Sequence, residues 1–363
     1  MLAPYARLAG TERQIALLAA QLVGRGHTVH LLSPVGPMNS SFQAAGASIY
    51  EVPLLERRPL AGWLAVVNTL RRLEVDVVHA HAGLELAAAA GIARPRTPRV
   101  FTNHGYAATF DYWKDALCLP AIAAHVVTVS RSEAGKLLNY GVSATRLTVI
   151  HNGIQPLQCQ EAAGADLRNK WQIPAGQMVV GTVGRLEPQK GHGVLLRALK
   201  LVEDLPFYAV IIGSGSLEQR LRSQAESLGI HERVRFVGQY QPIAEALSAL
   251  DIFAFPSLWE PFGLAALEAM SMGLPVLASK VGGLSEFIEH DVSGLLVPAG
   301  EPEALANELR RLYSDEALRA RLAAGGRQAA SPFHAERMAE QYEGVYDELL
   351  KAAARPWRRR EQQ

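Results

Sequence analysis

Short β-branched runs alternate with longer segments of helical period along nearly the whole chain. In the first half TVHLLS, ASIYEVP, VDVVHAH, RVFTNHG, HVVTVS and RLTVIHNG read as strands, with helical stretches such as Glu12–Arg25 and Leu60–Leu73 between them. The second half repeats the rhythm with MVVGTVGR, FYAVIIGSG, RVRFVG, IFAFPS, PVLAS and GLLVPAG. Its helical segments fall near Val194–Val202, Leu217–Leu228, Ile243–Leu250 and Leu264–Met272. Strand and helix alternating in this way predict an α/β chain with parallel sheets.

Two such series predict two doubly wound, Rossmann-like domains, residues 1–152 and 153–334, facing across a cleft. The join is placed after VIHNGI, where Asn152-Gly153 is a turn pair, and QPLQCQEAAGADLRNKWQIPAG shows no clear period. After Ala304 only helical segments occur. Residues 335–352 read as an amphipathic helix with Met338, Tyr342, Val345, Tyr346 and Leu349 on one side. It is able to close against either domain, the N-terminal one being the assigned seat; residues 353–363 are a basic tail. The start is irregular. LAGTERQIALLAAQL supplies a loop and a helix, but only MLAPYAR precedes them, so the first central strand is expected to be absent or curtailed.

Composition narrows the function classes. A chain of 363 residues with 49% hydrophobic content can fill two cores. Lys+Arg 36 against Asp+Glu 35 argues against a nucleic-acid binder. Cys118 and Cys159 have no zinc-type spacing and read as reduced thiols of a cytosolic protein. No secretory signal or membrane span is visible. RPWRRR at Arg355–Arg360 reads as a solvated tail, with Trp357 leaving room for a weak membrane-surface contact.

Three stretches carry candidate chemistry. GRLEPQKGH comes directly after a strand, so Arg185 and Lys190 emerge at the carboxyl edge of a sheet. A guanidinium fork and a compact ammonium suit a diphosphate, although a solvated loop explains this motif equally well. IIGSGSLEQRL holds Gly213 in a strand-to-helix turn that falls short of a full dinucleotide fingerprint. In SLWEPFGLAALEAM a helix is expected to begin near Gly263, where free N–H groups and the helix dipole favour an anion. Glu268, a turn and a half inside, is able to accept hydrogen bonds from a ribose diol, and Glu260 from the hydroxyls of a neighbouring sugar. His79 and His81 in VVHAHAG share one side of a strand end, but no nearby carboxylate completes a metal site and no Asp-x-Asp element occurs. They read as structural, with His81 near an acceptor at most.

EPFGLAALE resembles the E-x7-E element of retaining GT-B glycosyltransferases of family 4. The likeness extends through GTERQIALLAAQLVGRGHTVHLLS, TNHG, VSRSEAGKLLNYGV, VIHNGI, GRLEPQKG, GSGSLEQRL and VGGLSEFIEHDVSGLLVPAG, in that family's order. The resemblance implies that Arg185 and Lys190 neutralise the donor diphosphate and that the amides of Phe262, Gly263 and Leu264 touch phosphate or sugar. It also implies that Glu268 holds the ribose, that Glu260 holds the transferred sugar, and that His104 faces that sugar from the other domain. Gly10 and Thr11 correspond to a loop near phosphate and acceptor, although Ala9 stands where the family usually has a second glycine.

The reaction implied by the resemblance is a metal-independent hexosyl transfer without cofactor, from a UDP- or GDP-linked sugar to a saccharide or lipid-linked hydroxyl. The implied setting is polysaccharide or lipopolysaccharide synthesis, cytoplasmic or loosely attached to the inner membrane face. A nucleotide-sugar epimerase of the same architecture and a non-catalytic nucleotide-sugar binder stay open. A nicotinamide dehydrogenase is less favoured, because neither half has the full dinucleotide fingerprint.

Overall fold

The structure, a computed structural model, describes residues 1–7, 9–53, 59–106, 109–160 and 162–354. The chain divides into two compact units, one formed by Met1–Gly153 with the segment from Ala335 onward, the other by Ile154–His334. The basic tail lies, from residue 355 on, outside the described residues.

Unit 1 carries strands β1 (His30–Ser33), β2 (Ser48–Glu51), β3 (Val78–His81), β4 (Arg99–Asn103), β5 (His125–Thr128) and β6 (Leu147–Val149). Its helices are α1 (Gly10–Gly24), α2 (Asn39–Ala44), α3 (Pro59–Arg72), α4 (Leu84–Ala93), α5 (Thr109–Ile122) and α6 (Arg131–Asn139). All pairings are parallel, in a two-stranded sheet β1-β2 and a four-stranded sheet β3-β4-β5-β6. Leu2 lies between them with parallel bridges to Leu32 and Ala80. Its N–H donates to His79 O at 2.8 Å, while His81 N–H donates to Leu2 O at 3.0 Å. The expected first strand is therefore neither whole nor absent. Residues 1–3 hold its place at the centre of the unit, where Leu2 and Ala3 are fully enclosed.

Unit 2 begins with α7 (Ala163–Lys170), inside the stretch that shows no period in sequence. Packing corrects that expectation. Leu167 is buried and Gly164 lies directly against Ser248 O, where a Cβ would come within 2.5 Å, so two residues fix the helix rather than a full apolar stripe. Strands β7 (Met178–Val183), β8 (Phe207–Ile212), β9 (Val234–Gly238), β10 (Ile252–Phe255), β11 (Val276–Ser279) and β12 (Leu295–Val297) form one parallel sheet, ordered β12-β11-β10-β7-β8-β9. Helices α8 (His192–Leu201), α9 (Glu218–Ser227), α10 (Ile243–Ser248), α11 (Leu264–Ser271), α12 (Pro302–Ser314) and α13 (Glu316–Ala330) complete the unit.

The last helix, α14 (Ala335–Ala354), belongs to unit 1, where Met338, Ala339, Tyr342 and Val345 join the core formed by Ile15, Leu18, Leu22 and Leu31. Arg25 and His27 bind Glu343 across the same seam at 3.1 and 2.8 Å. No described helix is long and apolar enough to cross a membrane. Both cysteines are free thiols.

Candidate functional site

The chain enters the sheet of unit 2 at β7, adds β8 and β9 on one side, then crosses to β10 on the other. Ligands of such sheets bind beyond the carboxyl ends of the strands at this kind of reversal. Arg185 and Lys190 come after β7, Gly213 after β8, and Glu260, Phe262, Gly263 and Leu264 after β10. Sheet order thus gathers stretches that are far apart in sequence.

The first two loops are joined by their main chains. Leu186 N–H donates to Ser214 O at 2.9 Å and Leu217 N–H to Leu186 O at 2.9 Å, while Gly213 N–H donates to Gly238 O, at the end of β9, at 2.8 Å. Gly213 lies on Gly184, whose carbonyl oxygen would be 1.9 Å from any added Cβ. Loop-on-loop packing thus suffices to explain this glycine. Pro188–Lys190 form one 3-10 turn closed by Gly191, whose φ is 64°. A Cβ there would stand 1.9 Å from Pro256 O, so only glycine lets the β7 loop rest on the β10 loop. Leu258 N–H closes the same seam on Gln189 O at 2.8 Å.

Lys190 leaves that turn and crosses to Glu260, with Nζ 2.5 Å from Oε2. Its ammonium stands 4.8 Å from the centre of the Phe255 ring, and Ser257 Oγ donates to the same carboxylate oxygen at 3.4 Å. The two side chains are only 15% and 9% exposed, so each partner makes up for water the other has lost. Arg185 is exposed and donates from Nη2 to Gln189 Oε1 at 3.4 Å. His192 Nε2–H donates to Arg185 O at 3.2 Å and so anchors the arginine's main chain; burial lowers the His192 pKa to about 4, leaving it neutral.

Glu260 is held in turn by the loop after β11. Its carbonyl accepts from Gly283 N–H at 3.2 Å, and Gly282 approaches so closely that a Cβ would fall 1.8 Å from that oxygen. Phe262 is buried with ring centres 5.4 Å from Phe287 and 5.8 Å from Phe333. Gly263, with φ 110°, caps α11. Ala266 and Leu267 both donate to Gly263 O at 3.1 Å, which leaves the N–H groups of Leu264 and Ala265 ahead of the first intrahelical bonds. They sit at the positive end of the helix dipole. Glu268 is buried one turn further along the helix. An exposed guanidinium and an ammonium–carboxylate pair thus stand on loops that touch, and the second of these loops leads into a helix start. Such a set is able to take an anion and hydroxyl groups together.

The remaining sequence candidates lie in unit 1. Gly10 and Thr11 are the first residues of α1, and His104 comes directly after β4. His104 Nε2 and His81 Nδ1 share a hydrogen bond of 3.2 Å, and burial lowers the His104 pKa to about 4. His79 is committed at both nitrogens, Nδ1 to Tyr346 Oη at 2.7 Å and Nε2 to Thr102 Oγ1 at 2.7 Å, while Thr102 meets Tyr342 Oη at 3.1 Å. Among the described residues no group of three His, Cys, Asp or Glu is placed to hold a metal ion.

Several residues that shape these sites are not among the sequence candidates. Ser257 and His192 stand inside candidate motifs without a role of their own in them. Asp115, on α5, is fully buried, and its pKa is raised to about 6 by burial; Asn103 Nδ2 donates to it at 3.1 Å while Asn103 Oδ1 accepts from Gly105 N–H at 2.8 Å. That carboxyl braces the loop of His104. Tyr112 Oη, which hydrogen-bonds Glu133, accepts from Tyr106 N–H at 2.9 Å on the far side of the same loop. Asn103, just before His104, is the signal in sequence; Asp115 has none.

Residues 165–329 match the family model for glycosyl transferases group 1, and residues 8–156 match that for glycosyltransferase family 4. The chain is 32% identical over 321 residues to the lipopolysaccharide core biosynthesis glycosyltransferase LpsD of Rhizobium meliloti, covering 87% of this chain and 88% of that one. It is 36% identical over 252 residues to a D-inositol 3-phosphate glycosyltransferase of Salinispora arenicola, covering 64% of this chain and 56% of the relative, so this match spans about half of that protein's length. Among solved structures, Anabaena HepE in complex with UDP-glucose aligns with a TM-score of 0.86 at 25% identity, over 96% of this chain and 98% of that one. The fold is GT-B. The chain belongs to the family 4, group 1 glycosyltransferases, a family of transferase enzymes.

Proposed function

We propose that the protein moves a sugar from a nucleoside diphosphate donor to a hydroxyl of a saccharide or lipid-linked acceptor, with retention of anomeric configuration. The observation that carries this reading is the Lys190–Glu260 pair, set beside the start of α11 where the strand order of unit 2 reverses. The D-inositol 3-phosphate and lipopolysaccharide core enzymes among the relatives, and the UDP-glucose bound to HepE, support a nucleotide-sugar donor. Lipopolysaccharide or envelope polysaccharide assembly, in the cytoplasm or against the inner membrane face, is the setting proposed.

In this reading the diphosphate lies against Arg185, Lys190 and the N–H groups at the start of α11. As the bond from the anomeric carbon to the phosphate oxygen breaks, these groups meet charge growing on the leaving group. The acceptor hydroxyl attacks from the same face, and its proton passes to the departing phosphate oxygen. Glu268 holds the ribose diol and Glu260 the hydroxyls of the sugar in transit. His104, kept neutral by burial, hydrogen-bonds that sugar, and Gly10 and Thr11 serve the acceptor side. Positive charge supplied by the chain itself is the ground for proposing metal-independent transfer.

Screening UDP- and GDP-sugars by thermal shift, then assaying transfer to free and lipid-linked saccharides with and without chelator, tests the proposal. The expected result is a product of unchanged anomeric configuration by NMR, formed equally in EDTA. Donor epimerised without transfer would identify an epimerase instead, and donor bound without transfer or hydrolysis a non-catalytic binder.

A further inference from the structure

We propose that Glu260, through its ion pair with Lys190, distinguishes the intact donor from the nucleoside diphosphate left after transfer and so speeds departure of the product. The inference rests on the donor-site reading above and adds to it a second duty for the carboxylate.

Lys190 does not stand as a bare cation. Lys190 Nζ is held 2.5 Å from Glu260 Oε2, inside an enclosure that leaves the two side chains 15% and 9% exposed. Ser257 Oγ donates to the carboxylate and the contacts of Gly282 and Gly283 hold the main chain of Glu260, while Gly191 and Gly184 keep the lysine stem in its track. A diphosphate that draws on Lys190 must therefore do so beside a fixed negative charge. At this separation and degree of enclosure, that charge opposes the ligand strongly unless something else satisfies it.

An intact donor brings the remedy with it. Its sugar presents hydroxyl groups, and each donates a hydrogen bond to a carboxylate as the ammonium turns toward phosphate. The product has lost that sugar and gained negative charge on the terminal phosphate. Nothing it carries satisfies Glu260, so the carboxylate competes for Lys190 and repels the ligand. One side chain thus favours the donor and penalises the product, a difference of affinities created by a repulsive element as much as by an attractive one. Its consequence is faster release of product, a step that limits many enzymes once the chemistry is fast.

Calorimetric titration of wild type and Glu260→Gln with UDP, GDP, UDP-glucose and GDP-mannose tests this. Gln keeps the shape and the Ser257 contact and removes the charge. The expected result is nucleoside diphosphate binding about tenfold tighter in the variant, with intact donor binding weaker, so that their ratio shifts by about tenfold or more. Unchanged or weaker nucleoside diphosphate binding by a variant that melts like wild type would overturn the proposal. If Glu260→Gln does not fold, Glu260→Asp carries the test, because it keeps the charge but withdraws it from Lys190. Tightening of about threefold is then expected, and none overturns the idea. Wild type that binds neither UDP nor GDP would overturn the donor-site reading itself, whereas binding with an unaltered ratio would sink only this inference.

Discussion

The carboxyl edges of the two sheets are assembled by different means. In unit 2 the loops after β7, β8, β10 and β11 touch main chain to main chain, at Gly191 on Pro256, Gly213 on Gly184 and Gly282 on Glu260. The charged side chains stand on a platform that backbone atoms have already fixed. In unit 1 the corresponding edge is tied through buried and half-buried side chains, from Tyr346 through His79 and Thr102 to Tyr342, and from His81 to His104. A backbone platform fails by steric clash, whereas a buried polar network fails when a partner is removed or a proton is added. The two edges should therefore break under different perturbations.

The largest effect is expected at the charges on the platform. Lys190→Ala should lower transfer by about 100- to 1000-fold, with a far-UV spectrum like that of wild type. Full activity with a verified donor would remove the diphosphate role. Next comes the platform itself. Gly191→Ala places a Cβ against a carbonyl that cannot retreat, at a positive φ, and should destabilise unit 2 by about 3 kcal/mol, read by denaturant titration of that unit's tryptophans. Unit 1 should be indifferent to it.

Acid should reverse the pattern. Among groups with resolved shifts, burial lowers the pKa of His30, His79, His81, His104 and His125 in unit 1, against His192 alone in unit 2. A histidine whose folded pKa lies below its unfolded value near 6.5 takes up protons more readily when unfolded. Its contribution is complete above that value and is lost as pH falls toward the folded pKa. Asp115 has the opposite sign, since with a pKa raised to about 6 it keeps a proton that the unfolded chain would release, and it offsets one histidine. Each net proton is worth about 1.4 kcal/mol per pH unit, so between pH 6.5 and 4 unit 1 should weaken several times faster than unit 2. Peptide-resolved hydrogen exchange at pH 7 and pH 5 reads the difference, and parallel loss in both units would contradict it.

The smallest effect isolates one link. Tyr346→Phe leaves His79 Nδ1 buried without its partner and should cost about 1–3 kcal/mol in unit 1, while nucleoside diphosphate binding stays at the wild-type value. A change in nucleotide affinity with no loss of stability would break the separation drawn between the edges.

That separation also explains what is legible in the sequence. Strands and their parallel pairing are legible, because β7, β8, β10 and β11 are predominantly apolar runs that end in loops with glycine or proline. The loop that carries Lys190 is legible as one that leaves a strand end, but its ion pair with Glu260 and the contact of Gly191 with Pro256 are not, because those partners lie on another loop. In unit 1 the network joins positions hundreds of residues apart, and no spacing in HAH or in Ala335–Ala354 announces that Tyr346 will meet His79. Asp115 is invisible because its partner Asn103 lies on another element. Residues 1–3 are apolar but too few to register as a strand, and their place shows only in the hydrogen bonds on both sides of Leu2. Helix α7 escapes notice because one buried leucine and one close glycine contact leave no periodic signal.

The seat of α14 has a consequence for biogenesis. Its two tyrosines complete a polar chain whose other members, His79 and Thr102, leave the ribosome more than two hundred residues earlier. Synthesised from the amino terminus, the first-made lobe must wait through the making of the whole second lobe before its interior is satisfied. The half of the molecule that is translated first is therefore the half that matures last.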